Sequence, residues 1–285
     1  GSAVARDIAK YGYKVIVLEE DSEIGKPVRC AGIVSPKLIP LAGVSDEIVL
    51  SKLSRAHIYT SSGKKILIGN SKVRAVAIDR ERFDKVIAEQ ALKNGAKYIL
   101  SAKAIGIDNQ VNHYLKVHKN NIINNNVTNN SINKSNITQK NIYKDGIIIR
   151  FLRNNKEEKI RTKLIIGADG VNSDVAKWFN LDRPSEIINA LTFDTDININ
   201  DENSVNLLIS RDYVPAFFAW IAPIGNKRVR FGMGISSNSR KSLKYYFNEL
   251  MKLNLKPFSY VFNSFNSNDS NNKSKNFNSR NINKI

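Results

Sequence analysis

The first apolar residues of the chain recur at helical spacing and lead into a short apolar run. Ala3, Val4, Ile8 and Tyr11 recur at helical spacing. Gly12 then fits the left-handed conformation that commonly ends a helix. Residues 14–20 follow as KVIVLEE, which predicts a buried strand closed by two acids. Helix, glycine, strand and acid together predict the second half of a strand–helix–strand unit of the dinucleotide-binding type.

In such a unit a glycine-rich loop precedes the helix, and an acid about 20 residues further on binds a ribose hydroxyl. Gly1 is predicted to be the last glycine of that loop, the one that lets helix and strand pack closely. Glu19 has the spacing of the acid. We therefore expect the chain to begin inside the glycine loop. The alternative is an ordinary parallel repeat in which Glu19 faces solvent.

A longer amphipathic helix is predicted over residues 79–95. Asp79 fits its N-cap position. Arg80 lies in the first turn, where a cation is unfavourable to the helix dipole unless an anion lies near it. Arg80 is therefore a candidate contact for a phosphate or cofactor, and a plain surface arginine is the alternative. The stripe expected to be buried consists of Phe83, Val86, Ile87 and Leu92.

Three further patterns complete the predicted elements. Residues 97–104 predict a strand that ends at Ala104, whose small side chain leaves the backbone open to a flat ring. Residues 164–166 predict a buried strand that enters the tight turn Gly-Ala-Asp-Gly, where the Asp169 carboxylate can reach hydroxyl groups. Residues 57–69, HIYTSSGKKILIG, predict a hairpin that turns at its Ser-Gly pair.

Two segments have a low-complexity composition. Residues 120–144 and 263–284 are rich in Asn, Ser and Lys, with isolated apolar residues. Such segments bury too little apolar surface to offset the entropy lost on ordering. We expect the first to be a surface insertion, and residues 253–285 to be a disordered tail.

The charge of the chain indicates which classes of partner it could bind. The formal net charge is +18. Since Lys and Asn are abundant throughout and no basic stripe is interleaved with aromatic residues, no nucleic-acid partner is expected. An anionic membrane surface or a phosphorylated lipid suits the charge better.

Cysteine and histidine usage argues against a metal site. Cys30 is the only cysteine, which excludes an intrachain disulfide and a zinc cluster. The three histidines do not form a convincing site either. No run reaches the roughly 20 apolar residues of a membrane-spanning helix. The first ten residues include three charged ones, unlike a signal peptide, so we expect a cytoplasmic protein, soluble or peripheral to the membrane.

The motifs occur in an order that resembles a known group of flavoproteins. Residues 23–35, EIGKPVRCAGIVS, form a loop whose glycines and small residues are typical of backbone that approaches another group closely. The series VLEE, PVRCAG, DRERFD and GADGVNS resembles glutathione-reductase-type flavoproteins of p-hydroxybenzoate-hydroxylase architecture. The cysteine of PVRCAG and the motif PAFFAWIAP at residues 215–223 are most similar to the geranylgeranyl reductases, in particular the archaeal branch that acts on digeranylgeranylglycerophospholipids.

The resemblance implies an α/β fold with a Rossmann-like FAD-binding domain and an interleaved antiparallel β domain for the substrate. The FAD-binding domain would comprise residues 1–43 and 74–183, and the substrate domain residues 44–73 and 184–252.

The resemblance also implies a role for each matching residue. Glu19 would bind the adenosine ribose, Ala104 the adenine and Arg80 the ribityl-phosphate region. The residues implied to bind FAD are Gly1, Glu19, Cys30, Ala31, Gly32, Arg80, Ala104 and Asp169. Phe218 and Trp220 would share one strand face as a wall for an isoprenoid chain, with Phe217 on the other face. Ordinary core packing is the alternative for these aromatic residues.

The implied activity is the FAD-dependent reduction of carbon–carbon double bonds in the geranylgeranyl chains of membrane ether lipids. Cys30 is a candidate proton donor, and packing beside the flavin is the alternative. The electron donor would be ferredoxin, a reduced deazaflavin or NADPH. Two other functions stay open: an aromatic-ring hydroxylase on the same scaffold, and an inactive truncated fragment, since the family's later Gly-Asp-Ala motif has no counterpart in the sequence.

Overall fold

The computed structural model describes residues 1–28, 30–108, 146–197, 199, 201–261 and 263, together with the backbone of 282–284. The predicted insertion at 120–144 lies outside the described residues. The chain divides into two compact units: Gly1–Ile24 with Ala88–Pro184, and Gly25–Ile87 with Ser185–Ile285. The division into FAD-binding and substrate domains stays a prediction.

The elements are numbered in chain order. The helices are α1 (Ser2–Lys10), α2 (Leu38–Ala42), α3 (Arg80–Lys93), α4 (Asp174–Trp178) and α5 (Leu243–Met251), and a 3-10 turn spans Asp46–Ile48. The strands are β1 (Ile16–Leu18), β2 (Ile33–Val34), β3 (Val49–Leu53), β4 (Arg55–Thr60), β5 (Lys65–Gly69), β6 (Ala75–Ile78), β7 (Lys97–Ile99), β8 (Ala102–Ile107), β9 (Ile147–Arg153), β10 (Lys156–Thr162), β11 (Ile188–Asp196), β12 (Ser204–Ile209), β13 (Ala219–Pro223), β14 (Arg228–Ser236) and β15 (Ile282–Lys284).

The first unit contains the predicted helix and strand at the start of the chain. Strand β1 pairs in parallel with β7, and a separate antiparallel sheet has the order β10-β9-β8. Alanines form the small core beside β1 and β7: Ala5, Ala9, Ala91 and Ala96. Because these side chains are so short, helix and strand backbones approach closely, which is the packing expected of a nucleotide-binding unit.

Two strand predictions in this unit are wrong. Residues 97–104 form two strands, because Ser101 has a φ of 53° and turns the chain between β7 and β8. Ala104 therefore lies inside β8 and not at a strand end. Residues 164–166 are not a strand, and Leu164 is 69% exposed. An apolar run forms a strand only where a neighbouring strand pairs with it, whereas the N–H and carbonyl of Leu164 bond to Oγ1 of Thr162, two residues earlier.

Helix α3 confirms the amphipathic helix predicted at 79–95. The N–H of Arg82 donates to Oδ1 of Asp79 at 3.0 Å, so Asp79 is the N-cap. Leu92 is wrongly predicted as buried, since it is 48% exposed. Ala88 and Ala91 are buried instead, because the C-terminal half of the helix packs through its small residues.

The second unit is built on a seven-stranded sheet with the order β15-β11-β14-β13-β12-β4-β5. It is antiparallel except for the parallel pair of β12 and β4. The predicted hairpin is confirmed as β4 and β5. One face of the sheet packs on α5 through a core that includes Leu191, Leu208, Ile221, Phe231, Met233, Phe247 and Leu250. A second sheet has the order β2-β6-β3.

The start of the predicted tail is wrong. Phe258 is 0% exposed and Val261 is 1% exposed, and both belong to the core beside α5. The sequence after residue 253 has few apolar residues and therefore did not predict this burial. Two buried side chains are nevertheless enough to hold a short segment to a core. Residues 264–281 lie outside the described part of the chain, so the remainder of the tail stays a prediction.

The described residues contain no helix of the length and hydropathy that a membrane span requires.

We predict that Phe258→Ala lowers the free energy of unfolding by about 3–5 kcal/mol, because it leaves a cavity in the core. Urea unfolding followed by tryptophan fluorescence measures the change. Tyr260→Ala, at a neighbouring position that is 48% exposed, is the control and should cost less than about 1 kcal/mol. Equal effects of the two substitutions would show that residues after 253 do not belong to the core.

Candidate functional site

The loop that contains Cys30 is held in one conformation by a close backbone approach. Gly32 has a φ of +67°, and a Cβ there would lie 2.8 Å from the carbonyl oxygen of Ile78. The N–H of Ile78 donates to the carbonyl of Gly32 at 2.8 Å, and the N–H of Gly32 donates to Sγ of Cys30 at 3.5 Å. Only glycine fits this position, both for its φ and for its space. Cys30 is half-buried and is a free thiol.

A buried arginine fastens this loop to the seven-stranded sheet. Arg230 of β14 donates from Nε and Nη2 to the two carboxylate oxygens of Asp194 at 2.7 and 2.9 Å. Its third nitrogen, Nη1, donates to the carbonyl oxygen of Ala31 at 2.9 Å. Asp194 lies directly opposite on β11. Each nitrogen of the guanidinium thus donates one hydrogen bond, and one of these bonds fixes the residue between Cys30 and Gly32.

Arg80 lies against the same loop, with its Cγ 3.1 Å from a Cβ built at Gly32. Its Nη2 donates to both carboxylate oxygens of Asp84, each at 3.1 Å. Asp84 therefore supplies the anion that offsets the charge of Arg80 at the start of the helix. The position of Arg80 in the first turn does not by itself require a phosphate. Nε of Arg80, however, is buried and has no hydrogen-bond partner among the described residues. A buried donor of this kind indicates a missing acceptor.

The aromatic residues before and within β13 rest on two glycines of β14. A Cβ built at Gly232 would lie 2.0 Å from the indole of Trp220, and one built at Gly234 would lie 2.5 Å from the ring of Phe217. Phe217 and Phe218 stack at 4.3 Å between centroids, and Phe218 meets Trp220 edge-on at 5.8 Å. Any side chain on those glycines would therefore lift the rings off the sheet. We call Phe217, Phe218 and Trp220 the aromatic ledge.

The prediction that Phe217 lies on the opposite face is wrong. Gly232 and Gly234 are two residues apart on β14 and so share one face of the sheet, which means that Trp220 and Phe217 share it too. Strand alternation does not apply at Phe217, because β13 begins at Ala219 and Ala216 has a φ of 62°. Trp220 is 5% exposed, and its Nε1 has no hydrogen-bond partner in the described part of the chain.

Arg230 places the Cys30 loop on the same face as the aromatic ledge. It precedes Gly232 by two residues, so alternation puts Arg230, Gly232 and Gly234 on one face of β14, at intervals of about 7 Å. The structure thus brings together Cys30, Ala31, Gly32, Arg80, Phe218 and Trp220 within the second unit.

The other four predicted residues lie in the first unit: Gly1, Glu19, Ala104 and Asp169. Gly1 is the N-cap of α1 and, being glycine, supplies no side chain to cap the first N–H groups of that helix. The start of a nine-residue helix is thus open to an anion. A Cβ at Gly1 would meet that of Ala168 at 3.5 Å, an ordinary contact, so alanine would also fit there.

Glu19 is held on both sides by main-chain hydrogen bonds. Its N–H donates to Ile99 at 3.0 Å, and its carbonyl accepts from Ala102 at 2.8 Å. Oε1 of its carboxylate accepts from the N–H of Asp21 at 3.0 Å. The side chain is half-buried at the end of β1, as the sequence predicts for the acid of a nucleotide-binding unit.

Ala104 lies at an irregularity of β8. It pairs with Phe151 of β9, but the next paired residue is Gly106, so Ile105 is an extra residue in the ladder. A bulge of this kind disrupts the ladder locally and leaves the extra residue unpaired. The backbone near Ala104 is therefore better placed for a ligand contact than a regular strand would be.

The Asp169 carboxylate accepts hydrogen bonds from residues that follow it closely in the sequence. It accepts hydrogen bonds from Oγ of Ser173 at 2.5 Å and from the N–H groups of Asp174 and Val175 at 2.7 and 3.0 Å. Partial burial raises the pKa of Asp169, but these hydrogen bonds outweigh it and hold the pKa below its usual value. Asp169 thus ties the Gly-Ala-Asp-Gly turn to the start of α4, a role that differs from direct contact with ligand hydroxyls.

Sequence reasoning missed four residues of the second unit: Asp194, Arg230, Gly232 and Gly234. One signal was present for Arg230 and the glycines. Strand β14 reads RVRFGMGIS, in which an arginine and two glycines alternate with large apolar residues. In a buried strand such alternation indicates that the small and charged positions share a face that meets something other than ordinary core.

The solved structures that are similar to this chain define its class. A geranylgeranyl bacteriochlorophyll reductase-like protein from Thermoplasma acidophilum matches with a TM-score of 0.67 and 25% identity, over 88% of this chain and 58% of that one. Aklavinone-11 hydroxylase, solved with FAD and aklavinone, matches with a TM-score of 0.57 and 15% identity, over 90% of this chain and 48% of that one. The chain has the α/β fold of the flavoproteins of p-hydroxybenzoate-hydroxylase architecture.

Sequence relatives narrow the resemblance further. The digeranylgeranylglycerophospholipid reductase of Methanocaldococcus jannaschii is 27% identical over 251 residues, which cover 86% of this chain and 55% of that protein. The resemblance to the geranylgeranyl reductases is thereby confirmed. The chain spans about half the length of the curated relatives it matches. No family model matches the chain.

We predict that Arg230→Met loosens the Cys30 loop and destabilises the protein. The substitution leaves Asp194 without its partner, which should cost about 2–4 kcal/mol. Since Cys30 is the only cysteine, its rate of alkylation reports on the loop alone, and we expect it to rise several-fold. Should Arg230→Met not fold, Arg230→Lys keeps the charge, loses the paired geometry and serves the same measurement.

Arg228→Met is the matched control for this experiment. Arg228 pairs with Asp196 at 3.3 Å on the same two strands, but their side chains are 48% and 78% exposed. Removing this pair should change the free energy of unfolding by no more than about 0.5 kcal/mol and should leave the Cys30 alkylation rate unchanged. An unchanged alkylation rate in the Arg230 variants would mean that Arg230 does not position the loop.

Proposed function

We propose that the chain carries the FAD-binding and substrate-binding parts of a reductase that saturates double bonds in geranylgeranyl lipids. The relatives named digeranylgeranylglycerophospholipid reductase support this proposal, because the match extends over 86% of the chain. Two of the more distant structural neighbours are named as a brominase and a hydroxylase, but at 14–15% identity they speak only to the fold.

One observation in the structure carries the proposal. The Cys30 loop and the aromatic ledge lie on the same face of the seven-stranded sheet, joined through Arg230. A flavin must lie beside the double bond that it reduces, so a loop suited to a flat ring and an apolar surface suited to an isoprenoid chain should adjoin each other. Both features belong to the second unit, and this supports the proposal.

The residues present fit FAD. The unpartnered Nε of Arg80 would donate to an oxygen of the ribityl-phosphate region. The uncapped start of α1, following Gly1, would receive a pyrophosphate oxygen. Glu19 would bind the adenosine ribose and the backbone near Ala104 would contact the adenine. Asp169 would contribute by fixing the turn that contains it and not through its occupied carboxylate.

When bound, reduced FAD supplies a hydride to one carbon of the double bond, and a proton must reach the other. Ala31 and Gly32 would lie beside the flavin through their backbone groups, with the Ala31 carbonyl held by Arg230. The ledge would orient the chain and exclude water, since the partly exposed ring of Phe218 offers an apolar face and the buried Trp220 supports it. We propose that Sγ of Cys30 holds the proton for the second carbon.

The remaining partners follow from charge and chemistry. A phosphorylated lipid headgroup suits the net charge of +18, and a peripheral association with the inner face of the membrane would bring the enzyme to its substrate. Ferredoxin, a reduced deazaflavin or NADPH would supply the electrons.

A flavin spectrum and an anaerobic turnover assay test the proposed function. We expect the purified chain to retain or take up FAD and, once chemically reduced, to add two hydrogens per double bond to a geranylgeranyl lipid, as measured by mass spectrometry. Gly232→Ala should displace the Trp220 indole and lower turnover at least about tenfold while FAD binding stays unchanged.

Met233→Leu, on the opposite face of β14, is the matched control and should leave both FAD binding and turnover near the wild-type level. A wild-type chain that binds no flavin would disprove the proposal. Accumulation of a flavin hydroperoxide with oxygen, without lipid reduction, would indicate the hydroxylase alternative.

Replacing Cys30 tests its role separately. We expect Cys30→Ser to bind FAD normally and to turn over at least about tenfold more slowly, because a serine hydroxyl is a far weaker acid than a thiol. Stopped-flow measurement of flavin reoxidation by the lipid under anaerobic conditions gives the rate. Full turnover by Cys30→Ser would leave Cys30 only a packing role beside the flavin.

A further inference from the structure

The hairpin of β4 and β5 carries an exposed apolar strand at the edge of the seven-stranded sheet. Every residue of β5 is exposed, including Ile66 at 64%, Leu67 at 54% and Ile68 at 50%. Strand β5 is the last strand of that sheet in the described part of the chain. Three consecutive large aliphatic residues at this level of exposure are unusual on a water-facing surface.

The direction of these side chains restricts what could cover them. Successive residues of a strand point to opposite faces of the sheet, so Ile66 and Ile68 face one way and Leu67 faces the other. A folded partner that packs on one face would leave the other face in water. An apolar medium that surrounds the strand would cover both faces.

The charge around the hairpin restricts the medium further. Residues 48–78 include six Lys or Arg residues and no Asp or Glu, although the whole chain has 26 acids. Lys64 and Lys65 directly precede the apolar residues and are exposed. Lysines next to an apolar segment suit a surface whose headgroups are anionic and whose interior is hydrocarbon.

We propose that the β4–β5 hairpin docks the protein on an anionic membrane surface, with residues 66–68 inserted at the acyl boundary and Lys64 and Lys65 among the headgroups. This proposal rests on the proposed function for the identity of the lipid substrate. It adds the surface of the protein that would meet the membrane. Docking itself requires neither FAD nor turnover.

A second copy of the chain, paired edge to edge along β5, is the competing occupant. The two adjacent lysines disfavour it, because lysine on an edge strand is a common device against such pairing. Edge pairing would supply hydrogen bonds to the backbone of β5, but it would leave the apolar side chains on both faces in water.

Co-sedimentation of the full chain with lipid vesicles tests the docking surface. We expect binding to vesicles of phosphatidylcholine mixed with phosphatidylglycerol, and little binding to phosphatidylcholine alone. Lys64→Gln with Lys65→Gln should weaken binding about tenfold or more and remove most of its dependence on salt. Ile66→Ser with Ile68→Ser should weaken it to a similar extent.

Matched variants elsewhere separate docking from general charge or hydropathy. Lys156→Gln with Lys159→Gln, on exposed β10, and Leu41→Ser with Leu181→Ser, at sites 79% and 61% exposed, should bind vesicles like the wild type. FAD binding, read from the flavin spectrum, should be the same in all variants. Normal FAD binding with equal vesicle binding by hairpin and control variants would overturn the docking proposal alone. A concentration-dependent dimer that the hairpin substitutions abolish would overturn it in favour of a second copy.

Discussion

The arrangement of the second unit depends on the buried guanidinium of Arg230. Its carboxylate partner, Asp194, is supplied by the neighbouring strand, and its remaining donor reaches the main chain of the Cys30 loop. A lone buried charge would be costly, whereas a guanidinium with all three sides bonded is stable and directional. The sheet therefore determines where the loop lies, and the loop has little freedom to move without losing its hydrogen bond to this buried guanidinium.

The same sheet also explains the position of the aromatic ledge. Bare backbone at Gly232 and Gly234 lets flat rings lie directly on β14, while Phe231 and Met233 fill the core on the other face. The odd-numbered positions of β14 thus fill the core, and its even-numbered positions carry the buried Arg230 and the two glycines beneath the aromatic ledge. The buried Nε of Arg80 and Nε1 of Trp220, which have no hydrogen-bond partner among the described residues, also lie within this unit.

Local sequence patterns were enough to predict much of this fold. Contacts between residues far apart in the sequence could not be predicted from them. The cap at Asp79 and the β4–β5 hairpin follow from residues a few positions apart. The pair of Asp194 and Arg230 spans 36 residues and exists only in one strand register. Phe217 was misplaced because alternation was extended beyond the strand, and Phe258 was missed because its apolar neighbours come from distant elements. Family motifs led to the predicted site residues, whereas the hydrogen bonds that hold the Cys30 loop come from residues far away in the sequence.

The main-chain bonds of Glu19 have a consequence for folding. They come from Ile99 and Ala102, about 80 residues further along, so the helix and strand of the first 20 residues cannot fix the main chain of Glu19 by themselves. Contacts of such sequence separation form late and slowly, because a long loop must close before they contribute. During synthesis the acid of the nucleotide unit would thus remain unplaced until the turn at Ser101 has left the ribosome, and a nascent chain shorter than this would have the motif without its geometry.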